Sequence, residues 1–310
     1  MKLARKYDIP LRRKREARYL ALKAGKLPQK YRRVNHNFFS VWTSEMTYVL
    51  GYFCADGNLH RDKRSKGWRV HFSSNDRAHM ETIRRVMEST HGFTTRKKQP
   101  KLLSLDIGSE KLAIDLLALG ITERKSLTLQ FPNVPQKYLN DFIRGYFDGD
   151  GTIYLEGRRA ASPRVSFVSG SKRFLLALKE NLEAMLPGVR GRLYNNKTEL
   201  GRVYLLRYSR QGDLIKVFEY LYPEGARTLC LSRKRQKFQG AVTHLREKNE
   251  VRSRRRMRGP WRMTAPTKEE RIQRKKEELQ NFARFHPEYR KWVEGRIKVL
   301  EQMKKGKGLL

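Results

Sequence analysis

The chain has 310 residues, room for about two domains of 100–150 residues each, and its 69 Lys or Arg against 31 Asp or Glu give a formal charge of +38. Hydrophobic residues make up 38% and aromatics 10%, enough for real cores, which excludes wholesale disorder. No apolar run approaches 18 residues, which excludes a membrane-spanning helix, and no apolar stretch follows the basic start at Met1, which argues against secretion. Cys54 and Cys230 are too few for a disulfide framework or a zinc site. Both sit among apolar residues and read as small buried side chains in a reducing, intracellular compartment (cytoplasm, nucleoid or organelle). An isoelectric point near 10.6 calls for a polyanionic partner. Nucleic acid fits better than an anionic membrane, because the basic residues interleave with strand patterns instead of lining one amphipathic helix.

In chain order, residues 1–40 form a basic arm with a helical stretch over Leu11–Ala24. Its segment Ile9–Ala17 reads either as the vestige of a helix-turn-helix or as a plain basic arm. Residues 41–134 and 135–244 are two copies of one unit. Leu50–Asn58 reads LGYFCADGN and Arg144–Thr152 reads RGYFDGDGT; Gly51, Tyr52, Phe53, Asp56 and Gly57 match Gly145, Tyr146, Phe147, Asp150 and Gly151 at a common offset of 94 residues. The first motif helix is expected from Ser44 with Thr43 as N-cap, the second from near Pro135. Strand alternation follows at Arg69–Ser73 and Arg164–Val168. Apolar-periodic helices come next, His79–Glu88 and Phe174–Leu186, and then strand pattern again at Leu102–Ile107 and Val203–Tyr208. Each copy closes on another helical stretch. Residues 245–310 form a basic extension that opens on the run Arg252–Arg258, expected to be solvated and mobile. A capping box at Thr267–Glu270 then starts a helix, and a last helical segment covers Pro287–Lys304.

In each copy an apolar helix ends at an Asp-Gly pair. Gly51 and Ala55, like Gly145 and Gly149, stand four apart on one helix face, where small residues let two backbones approach. If the helices pack there, Asp56 and Asp150 lie side by side at helix C-termini, with Gly57 and Gly151 supplying a left-handed turn into the next strand. Two carboxylates at the negative ends of helix dipoles repel each other. Divalent cations relieve such a pair, and paired metals can stabilise the attacking and leaving oxygens of phosphodiester hydrolysis.

These motifs resemble those of the LAGLIDADG homing endonucleases of the single-chain, two-motif type, over roughly residues 41–240. The resemblance implies an α+β fold of two pseudo-symmetric αββαββα halves, each with a four-stranded antiparallel DNA-binding sheet, and with the motif helices packed at the interface. It implies a homing endonuclease that makes site-specific, metal-dependent double-strand breaks in DNA. The break promotes intron homing, or mobility of another element carrying the gene. Asp56 and Asp150 would be catalytic and would bind Mg²⁺ or Mn²⁺. Asp148 and Cys54 occupy the earlier acidic position of the two motifs; because they differ, Asp148 is left out of the catalytic set. The family's basic residue near the end of each half falls on Lys125 in LGITERKS and Lys234 in LCLSRKRQK, where an ammonium would stabilise charge on the phosphate or polarise the attacking water.

The strands would carry recognition, with Arg69, His71, Ser73, Arg96 and Lys98 in the first half and Arg164, Ser166, Arg192, Tyr194, Asn196 and Arg202 in the second. Arg suits guanine edges and Asn adenine edges in the major groove. The rival readings are an intron RNA maturase, with host intron RNA as partner, and a non-cleaving DNA-binding protein on the same fold. An intein is disfavoured, because no splicing Cys or Ser opens the chain and no His-Asn pair ends it. Two motifs in one chain imply a monomer.

Overall fold

The computed structural model describes residues 32–63, 65–156, 162–198, 201–225, 229–257 and 267–304. Two compact units divide the chain, one ending at Gly149 and one beginning at Asp150. The repeat itself begins about fifteen residues earlier, near Pro135. The division therefore leaves nearly all of the second motif helix with the first unit. The expected helix at Leu11–Ala24 and the segment Ile9–Ala17 lie outside the described residues.

In the first unit α1 (Ser44–Asp56) starts where expected: the Thr43 side chain accepts the Met46 N–H at 3.0 Å and satisfies one orphan donor of the first turn. Met46–Cys54 are all buried, so this helix is apolar around its whole circumference, as a core helix must be. Strands β1 (Gly57–Arg61) and β2 (Trp68–Ser74) follow, then α2 (Arg77–Val86), capped by Asp76, β3 (Phe93–Arg96), β4 (Gln99–Gly108) and α3 (Glu110–Ala118), capped by Ser109. The sheet is antiparallel with order β1-β2-β4-β3. Val70, Phe72, Leu105 and Ile107 point from its inner face into a core shared with Met80 and Ile83 of α2 and Leu112 and Leu116 of α3.

The same order recurs with α4 (Leu139–Asp150), β5 (Gly151–Glu156), β6 (Ser162–Ser169), α5 (Lys172–Met185), β7 (Arg192–Thr198), β8 (Gly201–Tyr208) and α6 (Gln211–Leu221). Pro135 precedes a single 3-10 turn, Gln136–Tyr138, that leads into α4. The second antiparallel sheet has order β5-β6-β8-β7. Val165, Phe167 and Leu206 meet Phe174, Leu178 and Leu182 of α5 and Val217 of α6. The α+β class and the doubled αββαββα order therefore stand.

Beyond them lie α7 (Ser232–Met257), α8 (Lys268–Phe285) and α9 (Arg290–Lys304). Thr267 and Glu270 close the expected capping box on α8. Ile272, Leu279 and Phe282 of α8 pack on Val293 and Leu300 of α9 in a small core of their own. The arginine run does not interrupt the structure: α7 continues helical through Met257, in keeping with the high helix propensity of arginine. Pro287–Tyr289 is a 3-10 turn, so the last helix begins at Arg290.

One expectation about the motif ends is overturned. Gly57 has φ −84° and ψ 158°, an extended conformation. Positive φ among the described glycines occurs at Gly120, Gly188 and Gly225, not at Gly57 or Gly151. Gly57 is needed for its missing side chain instead, since an added Cβ would overlap the Phe53 ring. No helix among the described residues is long and apolar enough to cross a membrane.

Candidate functional site

The site is built on the seam between α1 and α4. A Cβ placed on Gly51 would fall on the Phe142 carbonyl and 2.9 Å from Tyr146 N. One placed on Gly145 would fall on the Tyr48 carbonyl and 2.9 Å from Tyr52 N. The contacts are reciprocal and backbone to backbone, so neither helix can yield by turning a side chain. Further along, Gly149 lies against Ala55, and a Cβ there would stand 3.4 Å from Asp56 Oδ2. The seam thus brings the last turn of α4 beside the acid that ends α1.

The earlier acidic position is buried in both copies. Asp148 is 1% exposed and accepts a hydrogen bond from the Tyr48 hydroxyl at 2.7 Å across the seam. Its counterpart Cys54 is buried, and burial pushes its thiol up to about 12, with Lys125 opposing weakly. Cys230, expected to be buried, is only half-buried, on the approach to α7. Arg144 and Asp141, one turn apart, form a buried ion pair on α4.

Asp56 is exposed at the C-terminal end of α1, and Asp150 is half-buried as the last residue of α4. One turn before Asp56, burial holds the Tyr52 hydroxyl well above its ordinary value, and the charge of Asp56, to which it is hydrogen-bonded, adds to the effect. Each acid is followed by a glycine whose carbonyl receives a lysine. Lys125 Nζ donates to Gly57 O at 2.7 Å, and Lys234 Nζ donates to Gly151 O at 2.6 Å. The two lysines reach this common position from different local structures. Lys125 follows Arg124, held at φ 54° in a turn after α3, a left-handed conformation that costs an L-residue about 1–2 kcal/mol. Lys125 is 6% exposed, and its ammonium stands 5.8 Å from the Phe53 ring. Lys234 comes instead from the first turn of α7 and is half-buried.

Among the described residues no three His, Cys, Asp or Glu side chains cluster in a way that could hold a metal. The donors on offer are single carboxylates, Asp56 and Asp150. A hard divalent ion that keeps several waters fits such a thin oxygen shell, and a softer ion needing a full protein cage does not.

The outer faces of the sheets hold most of the expected contact residues. In the first sheet, Arg69 and His71 face outward with His60 and Asn58 opposite them on β1 and Asp106 opposite His71 on β4. The His60 and His71 rings are 6.4 Å apart. Burial holds the His71 imidazole below its ordinary pKa; Asp106 opposes this, and His60 and Arg96 reinforce it. Arg69 Nε is 3.7 Å from Asp62. Ser73 pairs with Ser104, while Arg96 and Lys98 are exposed at the β3–β4 hairpin. Asn58, His60 and Asp106 escaped the sequence reading, although β1 lies within the repeated motif's strand and its alternation would have placed Asn58 and His60.

In the second sheet, Arg192, Tyr194 and Asn196 are exposed along β7, and Arg164 donates to the Ser209 carbonyl at 3.1 Å. Ser166 is not available: it is fully buried. It pairs with Arg207 on β8, whose guanidinium lies 4.6 Å from the Tyr194 ring and 5.6 Å from the Tyr154 ring. Long side chains from the neighbouring strands cover the short serine. The side chain of Arg202 lies outside the described residues.

The doubled αββαββα unit, with acid-ending helices joined through glycines, agrees with the fold expected from the sequence. Residues 137–222 match the family described as a LAGLIDADG-like domain. The first half, outside that match, repeats the motif and the strand topology of the second. Among solved structures it is similar to the homing endonuclease I-WcaI bound to its DNA recognition sequence, at 13% identity over 65% of this chain and 90% of that one, with a TM-score of 0.45. It is also similar to I-DmoI in complex with DNA and Mn, at 18% identity over 58% and 98%, TM-score 0.42. A third is the N-terminal LAGLIDADG domain of DUF199/WhiA, at 13% identity over 70% and 97%, TM-score 0.38. No curated protein matches the sequence significantly.

Proposed function

We propose that the chain is a site-specific homing endonuclease that hydrolyses one phosphodiester in each strand of a double-stranded DNA target, acting as an intracellular monomer. The observation that carries this reading is the doubled arrangement of acid, glycine and lysine: Asp56-Gly57 with Lys125, and Asp150-Gly151 with Lys234. A duplex offers two scissile phosphates, and the chain has two such ends. Asp56 and Asp150 are the residues that would hold Mg²⁺ or Mn²⁺. Bound there, such an ion supplies positive charge to the attacking and leaving oxygens. Lys125 and Lys234, anchored on the glycine carbonyls, direct an ammonium toward the phosphate and stabilise the charge that builds on it. The outward residues of the two sheets, with Arg69, His71, Arg96, Lys98, Arg164, Arg192, Tyr194 and Asn196 among them, read base edges and phosphates. Cleavage at the uninterrupted allele would spread the element that carries the gene.

The test is cleavage of a DNA fragment spanning the uninterrupted insertion point of the host locus, with Mg²⁺ or with EDTA, by wild type, Asp56→Asn and Asp150→Asn. Defined double-strand cuts that need the metal and vanish in both variants are expected. Tight binding without cutting, the same in all three proteins, would overturn the reading and leave a binding platform for DNA or for intron RNA.

A further inference from the structure

The helix that carries Lys234 also carries the C-terminal extension. His286, at the end of α8, is 3% exposed and stacks on Phe282 with ring centroids 4.3 Å apart. It lies against Gly240 of α7, where a Cβ would come within 2.8 Å of His286 Nε2. The His244 ring of α7 stands 5.8 Å from Phe282, and the Lys237 ammonium 4.9 Å from the ring of Tyr289. These contacts seat the α8–α9 hairpin on the first turns of α7.

Between that hairpin and the start of β5 lies a cleft of about 490 Å³, within the range of roughly 300–1,000 Å³ usual for ligand sites. Thr152, Arg233, Lys234 and Lys237 line it on one side, and Phe285 and Glu288 on the other. Three cations face one carboxylate, so the cleft suits an anion. Phe285 is 55% exposed at the wall, an apolar ring beside cations, which matches the alternating sugar and phosphate of a nucleic-acid strand better than a free anion. Thr152 follows directly on Gly151, whose carbonyl holds Lys234. The cleft therefore opens at the second acid motif. In the first half Lys125 comes from a turn, and no helical extension follows it before α4 among the described residues.

We propose that α7 and the α8–α9 hairpin form a clamp on the phosphodiester backbone of duplex DNA beside the second acid motif, so that one half-site is held by a contact the other lacks. The inference rests on the endonuclease reading above for its cleavage arm, but not for its binding arm.

The binding arm is phosphate ethylation interference on the wild-type complex in EDTA, together with the salt dependence of binding. Interference should extend further from the cleavage point in one half-site than in the other. Arg233→Ala/Lys237→Ala should lower the slope of log K against log salt by about 2, since each phosphate neutralised contributes about 0.9, and Lys237→Arg should keep the wild-type slope. In the cleavage arm, the double variant acting on supercoiled plasmid in Mg²⁺ should cut one strand at least tenfold more slowly than the other and accumulate nicked circles. Symmetric interference with an unchanged slope would overturn the clamp without touching the wild-type nuclease, and so would equal slowing of both strands. Wild type that binds without cutting would sink the endonuclease reading, while interference and slope would still decide the clamp. RNA binding that competes out duplex and is lost in the same variants would overturn duplex DNA as the occupant.

Discussion

The two halves share a topology but place the same three groups by different means. Both place an acid at a helix C-terminus, a glycine after it and an ammonium on that glycine's carbonyl. The first half delivers the ammonium from a buried turn strained at Arg124, and the second from a half-buried helix tied to an extension. The outer faces of the two sheets differ. The outer face of the first sheet gathers His60, His71 and Asp106, while that of the second gathers Tyr154, Arg207 and Tyr194. Beside the matched motif helices, the two halves have in common the position of the cation on the glycine carbonyl, supplied in each from a different local structure.

The comparison breaks most decisively at the lysines. Lys125→Ala and Lys234→Ala should each slow cleavage by about 10²–10³-fold, read strand by strand with end-labelled duplex. Equal effects would confirm equivalent roles; a variant that cuts at the wild-type rate would remove its lysine from the chemistry. The seam should come next. Gly51→Ala and Gly145→Ala drive a methyl into backbone that cannot move aside, at a cost of about 3 kcal/mol each, measurable by urea unfolding. Because the contacts are reciprocal, the two losses should be similar, and a tolerated substitution at either position would show that the helices can part.

The smallest effect separates the halves by pH. Five of the seven histidines precede residue 92, and none lies between there and residue 243. His91, bonded to Ser89, is buried, and burial with the nearby Arg32 lowers its imidazole to about 4. A histidine whose folded pKa lies below the unfolded value of about 6.5 binds more protons when unfolded. Stability is therefore full above about 6.5 and declines as the pH falls toward 4, by about 2 kcal/mol at pH 5. Hydrogen exchange at pH 7.5 and pH 5, corrected for intrinsic rates, should show the loss in the first half and not in β5–α6. His91→Asn should flatten it. Uniform loss across both halves would point to carboxylates instead.

Much of this arrangement could be read from residues alone, because the doubled motif is local. A helix, its cap at Thr43, the small-residue face and the terminal acid all lie within about fifteen residues, and repetition separated them from chance. The lysine blocks came from the family resemblance, and the structure puts both ammonium groups on the glycine carbonyls after the acids. What escaped depended on contacts between distant residues. A glycine after an acid can serve a left-handed turn or a close approach, and only the position of the Phe53 ring distinguishes the two at Gly57. Alternation put Ser166 on the outer face, but its cover comes from Arg207 on another strand. The seating of His286 on Gly240 joins residues 46 positions apart whose pairing no periodicity records.

The bond from Lys234 to Gly151 spans 83 residues of sequence, and this orders events during synthesis. A growing chain presents both acids, the whole seam and Lys125 long before Lys234 has been made. Until α7 emerges, the nascent protein carries one complete acid–lysine pair and one acid alone. A ribosome-bound fragment of this length therefore lacks the second ammonium, and the second acid–glycine–ammonium arrangement is completed only when the first turn of α7 has been translated.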